Sequence, residues 1–259
     1  MSVAEIVLAD PVGPTGAQVL VLGSSLGTSA LLWGRTLPAL RARYRVVAWD
    51  LPGHGASPPA QEPFTIGELA DAVAEAVADA VNGPFLYAGV SIGGATGLEL
   101  LLRHPGLVTA AAIIASGARL GEPTAWHERA AKVRAESTSS VVISSAQRWF
   151  APGSLARDPE LTGRLLHVLQ DADDESYALC CEALAAYDVR DRLGSIVDPV
   201  LAIWGEHDLV APEEKAREIA DGVGDGRLEC IAGAAHLPPA EQPDTVVALL
   251  TGFFPSEAT

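Results

Sequence analysis

Short, unbroken apolar runs alternate along this chain with longer stretches whose apolar residues recur at helical spacing. Residues 17–22 (Ala-Gln-Val-Leu-Val-Leu) form the first run, which stops at Gly23-Ser24-Ser25. Runs of this length, rich in Val and Leu and bounded by turn residues, predict strands buried on both faces. The pattern returns at 44–50, 85–90, 108–115 and 200–204, and 227–231 (Arg-Leu-Glu-Cys-Ile) also reads as a strand. Predicted helices lie between the runs. One covers 30–40. A second opens at Thr65, with Glu68 three residues on as a capping-box partner. It carries Ile66, Leu69, Val73, Val77 and Val81 and ends at Asn82-Gly83. A third runs from Ser91 to Arg103 and stops before Pro105, and two more cover 212–220 and 243–252. Strand–helix alternation implies right-handed crossovers, hence an α/β fold with a mostly parallel twisted sheet flanked by helices.

The alternation breaks once. From 117 to 192 only helical segments are expected, at 126–136, 141–150, 159–170 and 174–187. The predicted organisation is therefore a core made of 1–116 and 193–259, with 117–192 inserted as a helical cap. The glycine-rich stretch Asp221-Gly-Val-Gly-Asp-Gly226 resembles a dinucleotide fingerprint, but it follows a helix and not a strand. It reads as a turn.

Composition narrows the function. With 259 residues, 49 % hydrophobic and 19 % charged, the chain can bury a large core and is not disordered. Acidic residues outnumber basic ones 33 to 17, a net charge of −16. No Lys/Arg cluster offsets this, so neither a nucleic-acid nor a membrane partner is expected. Apolar runs such as 108–115 fall well short of the ~18 residues of a membrane helix. Residues 1–10 lack a basic segment and lead into Asp10-Pro11, so no secretory leader is expected. The cysteines are Cys180, Cys181 and Cys230, an odd set without metal-ligand spacing. They read as buried reduced thiols of a cytoplasmic protein, with neither metal nor cofactor expected. Self-association into a homo-oligomer is left open.

The chemistry concentrates at Gly89-Val90-Ser91-Ile92-Gly93, a G-x-S-x-G pattern between a predicted strand and a predicted helix. A sharp strand-to-helix turn needs glycines beside the nucleophile, because its backbone is strained and bulky neighbours would clash. A serine hydroxyl needs a base, and the base needs an orienting acid. Gly233-Ala-Ala-His236 follows the last strand and supplies the base. Trp204-Gly-Glu-His-Asp208 follows the strand before it and supplies Asp208 as the acid, with Glu206 as rival. The remaining histidines have plainer readings: His54 holds a loop, His104 caps a helix, His207 lacks a serine partner, and His127 and His167, in the cap, are expected to face solvent, with substrate contact as the alternative. The oxyanion hole is expected from the N–H of Ile92 and from that of Ser25, in the loop after the first strand.

Together these residues resemble the α/β-hydrolase superfamily from Val19 to Phe254, including Asp50-Leu-Pro-Gly-His-Gly-Ala-Ser57, similar to its D-x-x-G-x-G-x-S segment. A serine nucleophile argues against haloalkane dehalogenases and epoxide hydrolases, which use Asp. Ser24-Ser-Leu-Gly-Thr28 with Trp33 resembles the oxyanion segment of 3-oxoadipate enol-lactonases. So do Trp126-His-Glu-Arg129, Arg148-Trp-Phe150 and Tyr177-Ala-Leu-Cys-Cys181 in the cap. The resemblance departs at Val90 and Ile92, where Leu and Met are common. It implies a cofactor-free serine hydrolase of aromatic catabolism, in the β-ketoadipate pathway, that opens a small anionic enol-lactone to 3-oxoadipate through an acyl-enzyme. A substrate carboxylate calls for a cation. Arg129, three residues from Trp126 on one predicted helix, is the first choice, with Arg134 and Arg148 as alternatives; Trp126 and Trp149 would wall the ring. Two other readings share the scaffold. One is a carboxylesterase or cofactor-free perhydrolase, the other a non-catalytic ligand-binding receptor, against which an intact Ser91, Asp208 and His236 speak.

Overall fold

In the computed structural model, which describes residues 4–81 and 83–255, the six predicted strands form one sheet. They are β1 (Val19–Gly23), β2 (Arg45–Trp49), β3 (Phe85–Val90), β4 (Val108–Ile114), β5 (Pro199–Gly205) and β6 (Asp225–Ile231). Their order is β2-β1-β3-β4-β5-β6, and every neighbouring pair is parallel. Two isolated antiparallel bridges, Leu8 to Trp49 and Val12 to Val46, line the N-terminal segment against the β2 edge. β1, β3 and β4 are buried on both faces apart from Thr109, as their uninterrupted apolar sequence requires.

The helices are α1 (Leu37–Arg41), α2 (Ile66–Ala80), α3 (Ile92–Arg103), α4 (Pro123–Glu136), α5 (Val142–Trp149), α6 (Ser154–Arg157), α7 (Pro159–Asp171), α8 (Asp174–Ala186), α9 (Glu213–Gly222), α10 (Pro238–Glu241) and α11 (Pro243–Phe253). α3 packs on β1, β3 and β4 with α2 against it, and α9 covers β5 and β6. The capping box of α2 is formed: the Glu68 N–H donates to the Thr65 hydroxyl (3.1 Å) and the Thr65 N–H to Glu68 Oε2 (2.8 Å). α2 ends at Ala80 with Val81 as its C-cap, and Asn82 lies outside the described residues.

Chain direction across the sheet reverses beside β1, since β2 lies on one side of it and β3 on the other. Such a switch point opens a crevice at the carboxyl ends of the two strands. Gly23 of β1 pairs with Gly89 of β3, so the loops carrying Ser25 and Ser91 leave the sheet at the same level.

Helices α4 to α8 lie within 117–192 and roof that crevice. α4 packs along α8. The cap is tied to the loop after β2: the Asp173 N–H donates to the Gly53 carbonyl (2.9 Å), and the Ala60 N–H to Ser176 Oγ (2.9 Å). Gly53 is required there. Its φ is +69°, and a Cβ would lie 2.4 Å from Ser176.

Several expectations shift. The helix expected over 30–40 is a 3₁₀ turn, Ala30–Trp33, followed by the short α1. Pro38 explains the break, because in a continuous helix its ring would meet the carbonyl of Gly34 and its missing N–H would leave that carbonyl unbonded. α4 starts at Pro123, three residues before the expected 126, because proline suits a first helical position. Only Val223 and Gly224 separate α9 from β6, so the turn expected over 221–226 is shorter than its glycines suggest. Cys180 and Cys181 are buried, but Cys230 is exposed. It sits on β6, an edge strand whose residues are mostly open to solvent.

Candidate active site

Ser91 is the residue between β3 and α3, with φ 57° and ψ −116°. A non-glycine residue holds such a conformation only where its surroundings enforce it. Here they do. The Ser91 N–H donates to the Ile114 carbonyl (2.9 Å), and the Ser91 carbonyl accepts from Ser116 Oγ (2.7 Å). From below, Tyr87 Oη donates to the Gly93 carbonyl (2.7 Å). The neighbouring glycines are steric requirements. A Cβ on Gly89 would lie 2.3 Å from the Gly93 carbonyl oxygen. One on Gly93 would lie 2.8 Å from the Gly23 backbone, and one on Gly94 would lie 2.6 Å from Ser116. The spacing of the motif is thus the imprint of a turn pressed between β1 and β4.

His236 and Asp208 come from the loops after β6 and β5. His236 Nδ1 lies 2.9 Å from Asp208 Oδ2, and both residues are buried, at 2 % and 4 % exposure. The other carboxylate oxygen, Oδ1, accepts from the N–H groups of Val210 (2.7 Å) and Ala211 (3.0 Å). Burial, the largest influence on Asp208, pushes its pKa up. His236 and the two N–H groups outweigh it and hold the carboxyl below its ordinary range. Asp208 is therefore an anion that presents one oxygen to Nδ1 and leaves Nε2 of the imidazole for a serine proton. Glu206, the rival acid, is exposed and accepts from the Gly233 N–H (2.9 Å), away from His236.

Ser91 and His236 line one cavity together with Ser25, Leu26, Val210 and the cap residues Trp126, Arg129, Arg148, Trp149 and Tyr177. Ile92 heads α3, so its N–H has no carbonyl within the helix to bond. In the loop after β1, the Gly27 N–H is taken by His54 Nε2 (3.1 Å) and the Thr28 N–H by the Ser25 carbonyl (3.0 Å). The N–H groups of Ser25 and Leu26 donate to no protein acceptor among the described residues. His54 holds this loop as a neutral imidazole. Gly27 can only donate to Nε2, and the Pro52 carbonyl can only accept from Nδ1–H (2.9 Å). Burial keeps the pKa of His54 below its usual value despite the Pro52 carbonyl, Asp50 and Asp173.

The cap arginines divide sharply. Arg134 on α4 bonds Glu175 (2.6 and 2.8 Å) and Glu182 (2.5 and 3.1 Å), which α8 presents seven residues apart along the face packed on α4. Its charge is spent there, and it does not line the cavity. Arg129 and Arg148 line the cavity, and among the described residues neither pairs with a carboxylate. Arg129 donates to Tyr177 Oη (2.8 Å) and Ser145 Oγ (2.8 Å), and its guanidinium stands 5.6 Å from the centre of the Tyr177 ring. Among the described residues Arg148 donates only to the Ser144 carbonyl (3.1 Å). Partial burial, and then the charge of Arg129, lower its pKa, yet a guanidinium so placed remains a cation. Two adjacent cations without an acid make an anion-receptive wall.

His127, His167 and His207 are exposed and line no part of this cavity. His104 ends α3 and pairs with Asp71 (2.8 Å). Leu26, Tyr177 and Val210 are cavity residues that sequence reasoning did not single out for the site. Leu26 adjoins Ser25, Val210 follows the acid by two residues, and Tyr177 opens a segment quoted for its resemblance. Among the described residues no helix is long and apolar enough to cross a membrane.

The sequence profile described as the alpha/beta hydrolase family matches residues 7–249. 3-Oxoadipate enol-lactonase 2 of Acinetobacter baylyi is 34 % identical over 232 residues, covering 89 % of this chain and 86 % of that protein. 3-Oxoadipate enol-lactonase 1 of the same organism is 32 % identical, covering 94 % and 91 %. The crystal structure of the enol-lactonase from Burkholderia xenovorans LB400 superposes with a TM-score of 0.92 at 31 % identity, covering 96 % of each chain. With its parallel sheet, its cap and a serine on the turn after β3, this chain belongs to the alpha/beta hydrolase family, and it is a hydrolase.

Proposed function

We propose that this hydrolase opens 3-oxoadipate enol-lactone to 3-oxoadipate, with Ser91 as nucleophile, His236 as base and Asp208 as the acid that orients it. The observation that carries the substrate reading is the pair of carboxylate-free arginines, Arg129 and Arg148, on the cavity that also holds Ser91 and His236. An anionic lactone supplies the counter-charge that the protein withholds from them, and arginine receives a carboxylate bidentately. Trp126 and Trp149 flank the ring. The enol-lactonase relatives support the same reading.

In this mechanism His236 Nε2 takes the Ser91 hydroxyl proton as Oγ attacks the lactone carbonyl. The N–H of Ile92, with that of Ser25 or Leu26, stabilises the oxyanion. Collapse breaks the ring C–O bond and expels an enolate, a better leaving group than an alkoxide, which His236 protonates. The enol released at that end of the chain becomes the ketone. Water, deprotonated by His236, then attacks the acyl-enzyme and frees Ser91. No cofactor takes part in these steps.

The test is a direct assay on the enol-lactone, generated enzymatically and followed by loss of absorbance. The wild type is expected to turn it over faster than neutral esters, and Ser91→Ala to lose at least about 10⁴-fold in kcat. Faster turnover of neutral esters would replace the lactonase reading with the esterase one. Undiminished lactone turnover by Ser91→Ala would remove Ser91 as nucleophile.

A further inference from the structure

Beneath the cap, on the side of the catalytic base, lies a buried carboxylate that the mechanism above does not use. Glu241, the last residue of α10, is 7 % exposed. Its Oε1 accepts from the Ala151 N–H (2.7 Å) and from Ser154 Oγ (2.7 Å). Its Oε2 accepts from the Ala235 N–H (2.7 Å). Among the described residues no cation pairs with it. A carboxylate buried this way is held by its three donors alone, and each is a short, charge-assisted bond.

The donors come from two places. Ala151 and Ser154 belong to the cap, between α5 and the start of α6. Ala235 immediately precedes His236. The next N–H along, that of His236 itself, donates to the carbonyl of Trp149 (3.2 Å). The two consecutive amides at the base are thus bound to one cap segment, 149–154, the first through Glu241 and the second directly. Trp149 in turn borders the cavity and packs on the loop after β1, where a Cβ on Gly27 would lie 3.3 Å from its ring.

We propose that Glu241 is a positioning residue that couples the seating of the cap to the alignment of His236. The proposal rests on His236 acting as the base for Ser91. The arrangement demands a carboxylate, because three donors meet two oxygens. Glutamine offers one oxygen and an NH₂ group. With its oxygen toward the cap, its NH₂ faces the Ala235 N–H and frees the loop of the base. With its oxygen toward Ala235, its NH₂ faces the Ala151 N–H and frees the cap.

The experiment uses a fluorophosphonate, which carries no carboxylate and reports only the competence of serine and base. Ser91 Oγ forms a bond to phosphorus, fluoride leaves, and the hydroxyl proton passes to His236. Glu241→Gln is expected to label about 10- to 100-fold more slowly than wild type, since small misplacements of a reacting group cost rate on that scale. Its far-UV circular dichroism should be unchanged. A purely structural role would lower the melting temperature and leave the labelling rate, read well below that temperature, at the wild-type value; that result overturns the proposal. Ser154→Ala keeps the carboxylate and both backbone bonds, and about a two- to fivefold slowing is expected. The double variant should be no slower than Glu241→Gln, because both act through one unit. Should Glu241→Gln not fold, a wild-type rate in Ser154→Ala overturns the proposal. A wild-type protein that takes no label sinks the Ser91–His236 reading itself, an outcome distinct from the others.

Discussion

On the floor of the cavity, Ser91 and Asp208 are held at or by main chain; in the cap above it, Arg129 and Arg134 are held by other side chains. Ser91 is fixed by hydrogen bonds at its own N–H and carbonyl and by glycines that no larger residue can replace. Asp208 is fixed by two backbone N–H groups. Above them, Arg129 leans on Tyr177 and Ser145, Arg148 touches a single carbonyl, and Arg134 is held by two glutamates. A tight turn and its glycines span a few residues and leave a spacing in the sequence. Side-chain constraints act between helices and leave none. Under the proposed function the floor encodes the reaction in a motif, while the roof encodes substrate choice in which cations find an acid and which do not.

The largest effect that can break this comparison lies on the floor. In Asp208→Asn the side-chain oxygen stays with the Val210 and Ala211 N–H groups, since only an acceptor fits there. The NH₂ group then faces His236 Nδ1 and forces the proton onto Nε2, the tautomer that cannot accept from Ser91. A fall of about 10⁴-fold in kcat is expected. Glu206→Gln should stay within about threefold, because Glu206 bonds the Gly233 N–H and stands beside exposed His207 (3.8 Å), neither of which touches the Asp208–His236 pair. Steady-state kinetics of the two variants decides. A larger loss in Glu206→Gln would hand the acid's role to Glu206.

The next effect lies on the roof and is one of binding. Arg129→Ala and Arg148→Ala should each raise KM for the anionic lactone about 10- to 100-fold, the scale of about 1.5–3 kcal/mol for a hydrogen bond to a charged group. KM for a neutral ester should move less than threefold. Equal effects on both substrates would reduce the arginines to packing. The net charge of −16 sharpens this expectation. The overall field opposes an anionic ligand, so its attraction has to be local.

What sequence reading reached follows the same division. The strand–helix alternation, the serine turn and the Asp208–His236 pair were legible, because each rests on local pattern or on position at a strand end. The helix expected over 30–40 breaks on a local rule, the clash of Pro38 with the carbonyl four residues back. The exposure of Cys230 follows from β6 being the sheet edge, which Asp225, Arg227 and Glu229 in the same strand signal. Leu26 could have been found by asking which N–H groups of its turn remain unbonded, but the bond from Gly27 to His54 spans 27 residues. Glu241 lies 90 residues from Ala151 and 87 from Ser154, so nothing in sequence links them. That Arg134 is taken by two acids while Arg129 and Arg148 are not was hidden for the same reason, since an acid's proximity is a tertiary fact.

Arg134 supplies the smallest effect and the sharpest control. It lies five residues beyond Arg129 on α4 and has the same chemistry, so a sequence comparison cannot separate them. The structure does, by giving Arg134 two acids from α8. Arg134→Ala removes a cation from the same helix and makes the cap more acidic by one charge. If the cap attracts its substrate through its total charge, this variant should weaken lactone binding as much as Arg129→Ala does. If attraction comes from cations left without an acid, KM for the lactone should stay within about twofold of wild type. The partly exposed ion pairs themselves contribute little, roughly 0–1 kcal/mol, so the cap should remain folded and the melting temperature should fall by only a few degrees. Measuring KM for Arg129→Ala and Arg134→Ala side by side at two ionic strengths separates the two cases. A diffuse field is screened by salt within about 10 Å at 0.1 M, whereas a desolvated guanidinium against a bound carboxylate keeps most of its advantage.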